Sequence, residues 1–126
     1  AELLAKDRYA RSLGARLVSQ ATDRVVMEMD ISEEHRVPSG AVHPAVAFSL
    51  ADCAMSLASN ARVTAVAIAT HLSVGAGGSG EATLTAEATV SSRRGRVVTW
   101  RAQVTAGEAM VASFTGTTLQ TSPLVS

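Results

Sequence analysis

Between His43 and Asn60 the chain reads HPAVAFSLADCAMSLASN, and this stretch limits the folds open to it more than any other. Pro44 suits the first turn of a helix, where a missing N–H leaves no intrahelical bond unmade. Ala is frequent and neither Gly nor Pro returns before Gly75, so a helix from about Pro44 to Asn60 is expected. The segment is made of small and apolar residues and carries one formal charge, Asp52. A helix apolar on every side must be covered nearly all round. One sheet covers one side; a second copy of the chain covers more. A buried, unpartnered carboxylate is costly to desolvate. Asp52 therefore faces solvent, bonds a neighbouring hydroxyl such as Ser49 or Ser56, or sits in a cleft as a base or nucleophile.

Around this helix the sequence spells strands. AELLAKDRYARSL has helical composition and stops at Gly14. ARLVSQAT and RVVMEMDI follow, turning near Thr22-Asp23. In the second, Val25, Met27, Met29 and Ile31 share one face and Arg24, Glu28 and Asp30 the other, the period of a half-buried strand. SEEHRVPSGAVH, with Pro38 and Gly40, reads as a loop, and His35 within it as solvated. After the helix come VTAVAIATHLSV, the flexible connection GAGGSG, and ATLTAEATV with Leu84, Ala86, Ala88 and Val90 inward. A hairpin turn SSRRG at Gly95 leads to RVVTWRAQV, with Val98, Trp100, Ala102 and Val104 on one face; TAGEA turns again into MVASFTGTTL. The order is helix, hairpin, long helix, then a meander of about four strands, which predicts an α+β fold with a mostly antiparallel sheet. Residues 1–126 offer room for a single domain.

Eleven basic and eleven acidic residues cancel, so no global field draws the chain to nucleic acid or to an anionic membrane. Tyr9, Phe48, Trp100 and Phe114 are too few aromatics for a base-stacking platform. The single cysteine, Cys53, excludes an intrachain disulfide and a multi-cysteine metal site; it is read as a core residue and fits a reducing compartment. No stretch has the pattern of a signal peptide. Pro38, His43, Pro44 and Asp52 interrupt the long segment from Val37 to Ala61, so no membrane span is expected. A cytoplasmic protein without nucleic-acid or membrane partner follows. GAGGSG lies between strands and lacks the P-loop lysine, so it cradles no phosphate.

His43 is the tempting partner for Asp52. Nine residues at about 1.5 Å of rise place the two roughly 13 Å apart along one helix, too far for a hydrogen bond within a chain. A shared site requires two protomers, the helix start of one facing the helix middle of the other. A helix start supplies backbone N–H groups and a positive dipole end, both suited to an oxyanion.

With these features together, HPAVAFSLADCAMSLASN resembles the signature helix of the hotdog-fold thioesterases of the phenylacetyl-CoA type: His-Gly-Gly, a few apolar residues, then Leu-Ala-Asp and small residues. The spacing from His43 to Asp52 matches, as does FSLADCA; LTAEATV, RRGR and VTAGEAMVASFTGT are similar to the family's closing strands. The resemblance spans about Asp7 to Leu119. It implies a hotdog fold, a five- or six-stranded antiparallel sheet wrapped around the long helix. It also implies a homodimer with interfacial sites, often paired into a homotetramer, that hydrolyses an acyl-CoA with a small or aromatic acyl group and uses no cofactor or metal. By position Asp52 matches the carboxylate that activates water or attacks the thioester carbonyl, and His43 the histidine at the helix start, with Ala45 beside it. Pro44, Phe48 and Met55 are expected around the substrate; His71, on one strand face with Ser73, lines the acyl pocket or faces solvent, and Arg94 and Arg96 of RRGR form a soluble hairpin turn or hold the coenzyme A phosphates.

Three positions differ from that pattern. Pro44-Ala45 stand where the family has Gly-Gly, and proline lacks the N–H that the first glycine offers the thioester oxygen. Losing one such donor typically costs about 10²–10³ in rate. Val37-Pro38 lie where an asparagine often precedes the histidine, and SVGAGG where the next strand often ends in Arg-Pro. Two functions therefore stand side by side: an acyl-CoA thioesterase, and an acyl-CoA-binding protein of the same fold that holds its ligand uncleaved. A hotdog dehydratase needs a differently spaced histidine with an acidic partner, which this sequence does not show.

Overall fold

The long helix forms within one residue of its expected span. In this computed structural model, which describes residues 2–75, 77 and 80–122, helix α3 is Pro44–Ser59, with His43 as N-cap and Asn60 as C-cap. Two short helices, α1 (Glu2–Lys6) and α2 (Arg8–Ser12), replace the single helix expected before Gly14. Asp7 divides them: its carboxylate accepts the Ala10 N–H at 3.0 Å and caps a new helix. Gly14, at φ 72°, supplies the stop.

The strands are β1 (Arg16–Ala21), β2 (Arg24–Asp30), β3 (Ala65–Val74), β4 (Thr83–Arg94), β5 (Val97–Ala106) and β6 (Ala109–Gln120). They form one antiparallel sheet in the order β1-β2-β4-β5-β6-β3, and α3 packs against β2 through β6. The expected four-strand meander is therefore shorter. β4, β5 and β6 are consecutive neighbours, while β3 pairs with β6 at the far edge. β4 pairs instead with β2 in the register Val25–Ala88, Met27–Ala86 and Met29–Leu84, which merges two apolar faces into one. Of the connection GAGGSG, Ala76, Gly78 and Ser79 lie outside the described residues. The SSRRG turn is tighter than expected. Ser91 to Arg94 stay in β4 after a bulge between Val90 and Ser92, and only Gly95-Arg96 turn, with Gly95 at φ 57°. No helix among the described residues is long and apolar enough to cross a membrane.

The core forms where α3 meets the sheet. Leu50, Ala51, Ala54 and Met55 of the helix are buried with Met27, Met29, Leu84, Trp100, Val104 and Phe114 of the strands. Trp100 satisfies its indole N–H by donating to Thr118 Oγ1 at 3.0 Å. Gly116 on β6 lets α3 approach. A Cβ there would overlap Met55 Sδ and stand 2.9 Å from the Phe114 ring. Gly116→Ala is expected to destabilise the fold by about 1–3 kcal/mol, measurable as a lower midpoint in urea unfolding.

The cover is incomplete along one stripe of α3. Ala45 and Ser56 are exposed, and Phe48 and Asp52 between them are half-buried. These positions recur every three or four residues, so they share one face. β3 is open along the same molecule: one side pairs with β6, and Val66, Ile68 and Val74 are about half exposed.

Candidate active site

Asp52 stands in the middle of the uncovered stripe, which resolves why a segment built for burial carries a charge. Its carboxyl borders a hollow of about 80 Å³ between α3 and the start of β3, walled by Met55, Ser56, Ser59, Ala65, Ala67 and Thr118. Neither Ser49 nor Ser56 bonds it, and among the described residues no cation pairs with it. Burial first, and the nearby Asp7 second, hold its pKa above the ordinary carboxylate value. Such a carboxyl, once ionised, is a stronger base than a solvated one.

The N-terminal helices complete these surroundings. Ser49 Oγ gives its proton to the Ala45 carbonyl at 2.8 Å, so Tyr9 must be the donor in the 2.7 Å bond between Tyr9 OH and Ser49 Oγ. That bond fixes α2 to α3 one turn before Asp52 and keeps Asp7 nearby. Neither Asp7 nor Tyr9 was legible as a site residue, since only the tertiary packing of α2 brings them there.

At the helix start every backbone donor is engaged. Pro44 has none. The Ala45 N–H goes to His43 Nδ1 at 3.0 Å, and those of Val46 and Ala47 to the His43 carbonyl at 3.0 and 3.3 Å. Because Nδ1 accepts, a neutral His43 carries its proton on Nε2, and the side chain is exposed. His35, expected to be solvated, braces this start. Its Nδ1 accepts the Ser32 N–H at 3.0 Å, and its carbonyl accepts the His43 N–H at 2.8 Å. His43 and Asp52 lie on one helix and are not brought together within the chain.

The remaining expected residues divide. Met55 walls the hollow beside Asp52, and Phe48 meets Phe114 edge-on, centroids 5.6 Å apart. His71 and Ser73 pair with Thr115 and Ser113, while Leu72 between them faces buried Phe114; both therefore lie on the outer face of the sheet, opposite α3. Arg94 pairs with Val97 and is exposed, and Arg96 donates to the carbonyls of Gln120 and Ser122. Cys53 is buried, as expected, and its thiol is pushed up to about 12, far from a nucleophile. Among the described residues no group of His, Cys, Asp and Glu is placed to hold a metal.

A larger cleft, about 550 Å³, opens past the C-terminal end of α3 and was not foreseen. Arg62, Arg93, Asp23, Trp100, Ser59 and Thr118 line it. Arg93 grips Asp23 with two bonds of 2.9 and 3.1 Å.

No protein-family model and no curated protein sequence matches the chain, but solved structures do. A mutant form of phenylacetic acid degradation protein PaaI from Thermus thermophilus is 30% identical, with a TM-score of 0.82, covering 90% of this chain and 98% of that one. PaaI of the E. coli phenylacetic acid degradation operon is 25% identical, with a TM-score of 0.88, covering 99% and 92%. A thioesterase from Haemophilus influenzae, 19% identical with a TM-score of 0.84 over 98% and 89%, shares the fold.

Proposed function

The chain belongs to the hotdog thioesterase superfamily, in its phenylacetic acid degradation (PaaI) branch, and on that premise we propose that it hydrolyses a coenzyme A thioester to a free acid and coenzyme A. A small or aromatic acyl group is the substrate class. The observation carrying this reading is the half-buried Asp52, paired with no cation among the described residues, which opens into a hollow on the uncovered stripe of α3.

The site is composite. Two copies joined along the open edge of β3 bring the α3 stripe of one to the helix start of the other, and two such homodimers form the tetramer. Asp52 then takes a proton from water, or attacks the thioester carbonyl itself, while the partner subunit's His43 points Nε2–H at the carbonyl oxygen. The dipole of the partner's helix adds to that polarisation. Thiol release from a panel of short, branched, aromatic and carboxylate-terminated acyl-CoAs tests the reading: at least one class is hydrolysed, and release from none contradicts it.

Asp7 gives a pH test. It faces Asp52 with like charge and raises its pKa. Asp7→Asn is expected to make Asp52 ionise more readily, so the acidic limb of the kcat/KM profile moves to lower pH. A limb that stays in place, or moves up, contradicts Asp52 as the base.

A second reading has one observation in its favour. The first turn of α3 holds no uncommitted backbone N–H, because Pro44 has none and Ala45 is bonded to His43. On this reading the protein binds an acyl-CoA without cleaving it. Saturable binding with no thiol release supports it, and rapid release excludes it.

A further inference from the structure

Asp52's hollow and the larger cleft share Ser59, Ala65 and Thr118 in their walls. The two therefore adjoin beside the C-terminal half of α3. Ser59 is seven residues beyond Asp52, roughly 10 Å along the helix axis. Ala58, Val98 and Trp100 give the cleft an apolar share of its lining. Asp23, Arg62 and Arg93 give it a charged share. Arg93 and Asp23 neutralise each other, and Arg93's two bonds hold the Asp23 carboxyl below its ordinary range. Arg62 stands near enough for its charge to act on Asp23, yet it makes no hydrogen bond or ion pair among the described residues. Two cations and one anion leave the cleft lining with one uncompensated positive charge.

We propose that this cleft takes the far end of the acyl group, and that Arg62 selects acyl chains terminating in a carboxylate, the mono-thioesters of dicarboxylic acids. The proposal rests on the thioester site at Asp52. A reacting carbonyl beside Asp52 directs the acyl chain along α3, past Ser59 and Trp100, toward Arg62. Arg62 is an exposed residue of the cleft lining, and a guanidinium there suits a carboxylate, which it can hold with two parallel bonds.

Binding to the Asp52→Asn protein tests this without turnover. By calorimetry, adipoyl-CoA should bind at least about tenfold more tightly than hexanoyl-CoA, the gain of a carboxylate held by charge-assisted hydrogen bonds. Arg62→Gln should erase the difference by weakening adipoyl-CoA, and Arg62→Lys should restore part of it. Equal affinity for the two thioesters before substitution overturns the proposal. So does an Arg62→Gln variant that weakens both alike, which would assign Arg62 to the coenzyme A phosphates. A preference for adipoyl-CoA together with no thiol release from the unsubstituted protein supports the cleft assignment while sinking the hydrolase reading, so the two failures are distinct.

Discussion

Asp52→Asn is expected to lose turnover by about 10²–10⁴ while its folded state becomes more stable at neutral pH. The rate loss follows from removing the group on the uncovered stripe of α3 that can take a proton from water or attack a carbonyl. The gain in stability follows from the same geometry. Burial and Asp7 raise the pKa of Asp52, so the native state holds this proton more tightly than the unfolded chain does. Where the native state binds more protons, stability falls as pH rises. The parent therefore loses stability as pH climbs from the ordinary carboxylate value through the raised one. Asn carries no such penalty. Melting temperatures at pH 7 should favour the variant, and the gap should close toward about pH 3, below the ordinary carboxylate value. A variant both inactive and less stable would make Asp52 a structural residue and contradict the assignment.

Pro44→Gly is expected to act in the opposite sense, raising kcat by up to about 10²–10³. Pro44 occupies the first position of α3, where a backbone N–H would have no intrahelical acceptor. Glycine places a donor there, free to meet the oxygen of a thioester whose carbonyl carbon lies beside the partner's Asp52. The change should also cost about 0.5–1 kcal/mol of stability, since proline restricts the unfolded chain and presets the first helical turn. Steady-state kinetics with one hydrolysable acyl-CoA, alongside denaturant unfolding, measures both. A destabilised variant with unchanged kcat would contradict the identification of Pro44 as the missing donor and leave His43 Nε2–H as sufficient.

Local periodicity carried much of the fold. The alternation of Val25, Met27 and Met29, and that of Val98, Trp100, Ala102 and Val104, placed the buried faces correctly. Composition bounded α3 to within a residue. What periodicity does not encode is partner choice. β3 has no buried face of its own, so nothing in VTAVAIATHLSV announces that it crosses to β6. Asp7 reads as one more polar residue in a helix, and only its hydrogen bond to Ala10 shows that it starts a new one. The arginines of RRGR show how one residue matters. The alternation through Val90 would turn Arg94 inward, but the bulge before Ser92 shifts the phase, so Arg93 faces the cleft opposite Val98 and Arg94 faces out. Asp52 and His43 were legible because the motif lies on a single helix. The cleft was not, because Asp23, Arg62, Arg93 and Thr118 come from four separate parts of the chain.

The central claim is a site shared between two copies, with Asp52 from one and the helix start from the other. Complementation in mixed dimers tests it most directly. Asp52→Asn and His43→Ser are each prepared as inactive proteins; serine retains an N-cap acceptor and removes the imidazole. The two are then co-expressed with different tags and the mixed dimer isolated. One of its two sites contains both lesions and the other contains neither. Thiol release should return at the level of one intact site per dimer. Mixed dimers as inactive as either parent would contradict the shared site.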